Sequence, residues 1–483
     1  MSDNSKNDYK ITYLPPLPKG WVWVRLGEVI QFVKGKKPKN LGDKNEFFKI
    51  PYINIEAFEL KRFTQFTDGK DVPTCEPDDI LIVWDGARCG LVGRGVKGVI
   101  GSTLAKLDCG EIYKSFLFYF LQTKYEYINK HPRGVGIPHV EPNLFWNIHL
   151  PLPPLAEQQR IVAKIEELFT KLNAGVEALK KAKEQIKRYR QAVLKYAFEG
   201  KLTEEWRKEN KPKETAKELL EKIKAERKKK LGTCLLTGRK KYKELPPVDN
   251  SELPELPEGW VWVRVGEIYD IIGGGTPSTK VDKYWKGDIP WITSADIHGL
   301  KNMKPRKFIT QEAILNSATN LVPENSLIVV TRVGLGKIAI TKIPLCFSQD
   351  SQALIDRTHL IYPEYSLYCL SQIIQIFKYK NRGTTISGVT KKQLSELEFP
   401  LPPLPEQHKI VEEIERRFSV ADEVEKVIDN SLKQAERLRQ SILKKAFEGK
   451  LVPQDPNDEP AEKLLERIRK EKLDFKNKKT KGR

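Results

Sequence analysis

The sequence predicts an α+β protein: two mixed α/β domains, each followed by a long α-helix, the two helices pairing as an antiparallel coiled coil with pseudo-two-fold symmetry. Three observations predict this. Segments near the start of the chain recur in its second half in the same order. Short apolar runs interleaved with glycine fill the residues between them. Each repeat then closes on about 40 residues whose apolar side chains recur at spacings of three and four. A chain of 483 residues is also too long for one hydrophobic core.

The duplication is explicit. Leu17-Pro-Lys-Gly-Trp-Val-Trp-Val-Arg-Leu-Gly-Glu28 returns as Leu256-Pro-Glu-Gly-Trp-Val-Trp-Val-Arg-Val-Gly-Glu267, a shift of 239 residues. Leu150-Pro-Leu-Pro-Pro-Leu-Ala-Glu-Gln-Gln-Arg-Ile161 returns as Phe399-Pro-Leu-Pro-Pro-Leu-Pro-Glu-Gln-His-Lys-Ile410, and Ala197-Phe-Glu-Gly-Lys-Leu202 as Ala446-Phe-Glu-Gly-Lys-Leu451, both shifted by 249. The second copy therefore carries ten more residues in its middle. Edges match while interiors differ: two copies of one fold have diverged inside.

Each element follows from local chemistry. Trp-Val-Trp-Val alternates aromatic and β-branched residues and predicts a strand entered through Gly20 or Gly259. Trp21, Trp23, Trp260 and Trp262 read as core anchors in preference to base-stacking platforms. Ile80–Trp84 and Leu327–Val330 predict further strands, Tyr113–Tyr125 and Tyr365–Tyr379 helices. In Leu-Pro-Pro-Leu the prolines fix φ and lack donors, so each segment is a stiff extended lead-in, with Glu157 and Glu406 in the first helical turn beyond it.

The helical seams run through Ile161, Ile165, Leu168, Leu172, Gly175, Leu179, Ala182, Ile186, Tyr189 and Val193, and through Ile410, Ile414, Arg417, Ala421, Val424, Ile428, Ser431, Ala435, Leu438 and Ile442. Gly175, Arg417 and Ser431 are out of character, and Gly200 and Gly449 stand at the C-caps. A helix of this length spans roughly 60 Å and its apolar stripe needs a partner. The sister helix is the nearest candidate; a parallel pair, or a different protein on each seam, stays open.

The chain thus divides into a first domain at 1–150, a spacer helix at 151–200, a basic linker with a short helix at 201–252, a second domain at 253–399, a second spacer helix at 400–449, and a short helix with a basic tail at 450–483. The short helices echo one another, Ala216-Lys-Glu-Leu-Leu-Glu-Lys-Ile223 against Ala461-Glu-Lys-Leu-Leu-Glu-Arg-Ile468. Arg227–Lys230, Arg239–Lys243 and Lys476–Arg483 read as mobile linker and tail.

A formal charge of +20 points to a polyanionic partner, nucleic acid first, although Lys/Glu enrichment with two Met also suits a thermophile. Cys75, Cys89, Cys109, Cys234, Cys346 and Cys369 show no Cys-x-x-Cys spacing, and His131, His139, His149, His298, His359 and His408 no ligand spacing, so neither zinc nor a disulfide framework is indicated. No leader or membrane span is expected, and a cytoplasmic location follows.

No catalytic signature accompanies the charge. Gly334-Leu-Gly-Lys-Ile338 lacks the first glycine and the hydroxyl of a P-loop, and Gly273-Gly-Gly-Thr-Pro-Ser278 lacks the spacing of a dinucleotide or methyl-donor site. No Asp/Asn-Pro-Pro-Tyr/Phe motif is present, and Pro77-Asp78-Asp79 lacks the downstream Glu-x-Lys of a nuclease.

Two domains opened by Leu-Pro-x-Gly-Trp and closed by Pro-Leu-Pro-Pro-Leu-x-Glu-Gln, a long helix and Ala-Phe-Glu-Gly-Lys-Leu resemble the specificity subunit of Type I restriction-modification systems over nearly the whole chain. The resemblance implies two target-recognition domains, each reading half of a split, asymmetric sequence in double-stranded DNA, with the paired helices as a ruler. It implies docking of two modification subunits that hold S-adenosylmethionine and methylate adenine, and through them of restriction subunits driven by ATP and Mg. This chain itself would be non-catalytic and carry no cofactor. The runner-up is a DNA-binding scaffold or regulator outside restriction-modification; a third reading is a self-sufficient nuclease or methyltransferase.

Loops rich in glycine and cations are the candidates for DNA contact, because Arg addresses guanine bidentately while Lys more often meets phosphate. In the first domain these are Lys34, Lys36, Lys37, Arg88, Arg94, and Arg133 with His139; in the second, Ser278, Lys280, Arg332, Lys337, and Arg382 with Thr384 and Thr385.

Overall fold

The structure, a computed structural model, describes residues 14–134, 136–234, 245–380 and 388–481. The first repeat contains β1 (Val22–Arg25), α1 (Leu26–Val29), β2 (Gln31–Lys34), β3 (Ile50–Ile53), α2 (Ile55–Leu60), β4 (Phe66–Thr67), β5 (Thr74–Cys75), β6 (Ile80–Val83), β7 (Val92–Arg94), β8 (Gly98–Ile100), β9 (Leu104–Asp108), α3 (Lys114–Lys130), α4 (Pro142–Trp146), β10 (His149–Leu152) and α5 (Leu155–Phe198). Then come α6 (Glu204–Glu209) and α7 (Ala216–Cys234). The second repeat holds β11 (Val261–Arg264), α8 (Val265–Ile268), β12 (Asp270–Gly273), β13 (Ile289–Ile292), β14 (Ile297–Gly299), β15 (Asn302–Met303), β16 (Lys307–Ile309), α9 (Gln311–Leu315), β17 (Leu327–Val330), β18 (Ile338–Ile340), β19 (Cys346–Phe347), β20 (Ser351–Ile355), α10 (Pro363–Lys380), α11 (Lys391–Glu396), β21 (Glu398–Leu401) and α12 (Leu404–Phe447), followed by α13 (Ala461–Lys481).

The chain folds as two compact units that do not follow the linear order: Met1–Lys180 with Asp429–Arg483, and Lys181–Ile428. The first is built on a four-stranded antiparallel sheet, β2-β9-β6-β7, beside a smaller sheet ordered β4-β3-β8-β5. β1 pairs antiparallel with β10, setting Trp23 against Pro151. Proline is tolerated there because the pair is a two-stranded ribbon with free edges. The core joins Ile80, Ile82 and Leu107 of the sheet to Phe116 and Phe120 of α3, and is completed by Ile442 and Ala446 from the end of α12 and Leu464 and Ile468 of α13. Phe447 rests edge-on against Phe116 and Phe120, with centroids 5.3 and 5.4 Å away.

The second unit repeats this plan with β12-β20-β17-β18 as its main sheet, β11 paired with β21, and Phe399, Tyr365 and Leu370 in the core with Val193 and Ala197 from the end of α5. Where the first unit follows β3 with α2, the second follows β13 with a single 3-10 turn and the hairpin β14–β15.

The repeated motifs are joints. Trp21 donates its indole N–H to Glu157 at 2.9 Å, and Trp260 does the same to Glu406 at 2.8 Å. Gln158 donates to the Pro153 carbonyl and accepts from the Tyr113 amide; Gln407 repeats both bonds with Pro402 and Tyr362. Trp21 and Trp260 are buried, as the sequence predicts, while Trp23 and Trp262 are half-buried and donate to the Pro15 and Pro254 carbonyls. Gly200 and Gly449 both sit at φ +70, and a Cβ there would lie 2.2 Å from Pro257 and 2.3 Å from Pro18.

Each spacer helix runs 44 residues and is shared between the units, its first part packing in its own domain's unit and its last part in the other. In the first unit Arg439 bonds Asn173 and stacks 4.3 Å over Phe169. In the second, Arg190 bonds Asp422 and stacks 5.3 Å over Phe418. Within the second unit Lys183 meets Glu425 and Arg190 meets Asp422, so numbers rise on one helix as they fall on the other and the pair is antiparallel there; the contacts of the first unit are the same contacts shifted by 249 residues.

Three expectations need correction. The predicted seams place Gly175, Tyr189, Val424 and Leu438 inside, but all four are exposed; the contact stripe steps to Val176, Arg190, Glu425 and Arg439. A strict seven-residue repeat drifts around a 3.6-residue helix, and a four-residue step in place of three, from Leu172 to Val176 and again from Ile186 to Arg190, keeps the contacts facing the partner. Arg227 is no part of a mobile linker: it is buried and donates to the carbonyls of Gly266, Glu267 and Tyr269 and to Asp270. Lys472 makes the matching contacts to Gly27 and Ile30, and α13 continues helically to Lys481 where a mobile tail was expected. Arg239–Lys243 lies outside the described residues.

Candidate nucleic-acid interface

Several of the loop residues predicted from the sequence to contact DNA lie at one end of each main sheet. In the first unit β2, β9 and β6 finish together at Lys34, Leu104 and Val83. The chain leaves β2 through Gly35, whose missing Cβ is required: one built there would lie 2.1 Å from the Gly101 carbonyl oxygen. Lys36 and Lys37 follow, exposed and without an ion pair among the described residues. Beyond β6, Asp85 accepts from Lys34 and stands 2.7 Å from His139 Nδ1. His139 exchanges both backbone hydrogen bonds with exposed Arg133, and Gly86 donates to the Pro138 carbonyl at 2.7 Å. The structure therefore brings Lys34 and His139 onto one carboxylate, with Arg133 tied to His139 through the backbone, while Lys36 and Lys37 only follow Lys34 in the chain.

Arg88 and Arg94 are occupied differently. Arg88 forms a 2.8 Å ion pair with Glu59. Arg94 lies across from Ile80, at the opposite end of the sheet, bonded to Ser115 and stacked 4.5 Å over Phe118.

In the second unit the matching end comprises Gly273, Gln352 and Val329–Val330. Gly274 and Gly275 pass so close to the backbone of 318–319 and 347–348 that a Cβ on either would lie 2.3 to 2.4 Å from it. They carry the chain to Thr276, which bonds Gln349, and to exposed Ser278 and Lys280. Arg332 projects into solvent from the turn after β17, its amide donating to the Asp350 carbonyl. Lys337 spends its ammonium on the carbonyls of Ser294 and Ile297, at 2.8 and 3.1 Å. Arg382, Thr384 and Thr385 lie outside the described residues.

Asp85 and Gln352 were not among the sequence candidates. Asp85 directly follows a predicted strand, which is a usable signal; Gln352 sits inside a strand and carries none. Thiol chemistry finds no support in the described cysteines, since burial pushes Cys75 and Cys346 up to about 11 and Cys109 to about 12. No cluster of three potential metal ligands occurs among the described residues, nor any helix long and apolar enough to cross a membrane.

Comparison with known proteins decides the family. The model of the Type I restriction modification DNA specificity domain matches residues 18–187 and again 257–434. The chain belongs to that family. The two matched stretches are the duplication read from the sequence, each running from a Trp-Val-Trp strand into a spacer helix. Relatives include the Type I restriction enzyme MjaVIII specificity subunit of Methanocaldococcus jannaschii, 25% identical with 90% of this chain and 94% of that protein covered. The EcoDI specificity subunit of Escherichia coli is 26% identical, covering 94% and 96%. Among solved structures, a chain from a study of assembly and conformational transition in the type I R-M system matches with TM-score 0.65 at 22% identity, over 90% of this chain and all of that one. The HsdS subunit of Thermoanaerobacter tengcongensis matches with TM-score 0.50, covering 90% and 98%. The fold is that of these specificity subunits, and a member of the specificity-domain family recognises DNA sequence.

Proposed function

We propose that this chain reads a bipartite, asymmetric DNA target, one half per domain, and carries partner methyltransferase and restriction subunits to it without catalysing a reaction itself. The observation that carries this reading is the duplication of the sheet-end site with different contents: Lys34, Asp85, His139 and Arg133 in one unit, Gln352, Arg332 and the Gly273–Ser278 loop in the other. A common frame with unlike side chains at one place is suited to unlike half-sequences. The paired 44-residue helices supply the spacer. S-adenosylmethionine, ATP and Mg belong on two modification subunits and on restriction subunits in the cytoplasm.

Lys36, Lys37, Ser278 and Lys280, exposed in loops, would meet phosphate, and Arg133, His139 and Arg332 phosphate or base. Lys34 and Lys337 already have protein partners and would act by shaping the loops; Arg88 and Arg94 would have to give up theirs. Arg382, Thr384 and Thr385 complete the second set by sequence.

The test is selection of duplexes from a randomised pool by the chain assembled with its modification partner. Two short conserved blocks at a fixed separation are expected. One contiguous block, or turnover by this chain alone with metal or methyl donor, would contradict the proposal. Lys36→Ala with Lys37→Ala should weaken binding to all sequences alike and reduce the salt slope by about 2.

A further inference from the structure

The two main sheets place one long polar side chain at the same position, drawn from different strands. In the first unit Lys34 of β2 lies across from Ala105 of β9, which in turn faces Ile82 of β6. In the second, the equivalent positions are Gly273 of β12, Gln352 of β20 and Val329 of β17. The sizes are exchanged: a long residue beside a small one in each case. The Gln352 amide lies over the glycine, its Oε1 and Nε2 within 3.7 and 3.8 Å of where a Gly273 Cβ would stand.

Their hydrogen bonding is unlike. Lys34 is satisfied by Asp85, which also holds His139. Gln352 Oε1 is buried with no hydrogen-bond partner, as is Ser348 Oγ in the turn that leads into the same strand. An orphaned buried acceptor costs about 1–3 kcal/mol and calls for a reason. Gly273–Ser278 and Arg332, both candidates for DNA contact, flank this position.

We infer that Gln352 is a specificity-determining residue that reads an adenine in the half-site bound by the second unit. This rests on the functional reading above. A carboxamide presents an acceptor and donors in one plane, and the major-groove edge of adenine presents the N6 donor and the N7 acceptor that match it. Guanine offers O6 and N7, both acceptors, and so satisfies only the amide donor. In the first unit the same place holds a lysine already paired to a carboxylate, so that half-site is read by other groups.

The experiment uses the chain in complex with its modification partner and a panel of duplexes in which each base pair of the target is replaced in turn, with binding read by fluorescence anisotropy. The wild-type complex should prefer adenine at one position of one half-site by roughly ten- to a hundredfold. Gln352→Ala should abolish that preference alone, with every preference in the other half-site kept, which also reports intact folding and assembly. The near-isosteric Gln352→Glu should turn the same position toward cytosine, whose N4 amine a carboxylate accepts. Unchanged preferences in both variants, or an equal loss on every duplex, would overturn the inference while leaving the functional reading standing. A wild-type complex with no sequence preference would overturn both.

Discussion

Glu157 and Glu406 accept the same tryptophan N–H in the two units but differ in what else they hold. Glu406 also accepts from Thr203 and from Arg207 at 2.7 Å, whereas the positions equivalent to those two are Val452 and Pro456, and Glu157 gains only a long bond from Gln454. With so little compensation, burial raises the Glu157 carboxyl above its ordinary pKa. The native state then binds the proton more tightly than the unfolded chain. The penalty for ionising Glu157 is absent below the unfolded pKa and fully present above the folded one. Glu157→Gln, which keeps an acceptor for Trp21, should therefore gain stability relative to wild type as pH rises. Thermal melts of both proteins across a pH series check this, and a constant difference would contradict it. Glu406→Gln removes the buried charge that pairs with half-buried Arg207 and should cost about 2–4 kcal/mol.

Among the elements, the helix ends were readable because glycine has few other reasons to stand there. Gly200 and Gly449 were expected at C-caps, and the structure adds that each also makes room for a proline. Alanine at either site combines left-handed strain with overpacking, a loss of roughly 2–4 kcal/mol that denaturant unfolding would measure. Gly175 is the opposite case. Its Cβ direction is open, so Gly175→Ala should stabilise by about 0.5–1 kcal/mol and raise the melting temperature slightly. The seam itself was predicted only in part, because Ile, Leu and Val mark a stripe but an arginine on it does not. Arg190 and Arg439 reach the interface by stacking on Phe418 and Phe169, contacts that need the partner helix to be seen. Arg227 was hidden among lysines for the same reason: only the fold brings the backbone of Gly266–Asp270 to it.

For the whole molecule, the duplication, the mixed domains and the long helices followed from the sequence, since repeats and periodicity are one-dimensional signals. The sheet-end sites followed only where glycine and cations coincide in a loop. Asp85 and Gln352 meet neighbours distant in sequence, Lys34 and His139 for the one and Gly273 for the other. A net charge of +20 predicts that DNA affinity falls steeply with salt as counterions are released, and titration between about 50 and 200 mM salt should show a loss of 10-fold or more. The central claim is that two unlike domains on one chain read one split target. Mapping methylated adenines in the genome of cells that express this chain with its modification partner tests it most directly. The prediction is a single motif of two dissimilar blocks separated by a fixed unspecified spacer, lost when this chain is omitted. A contiguous or palindromic motif, or methylation that persists without the chain, would contradict it.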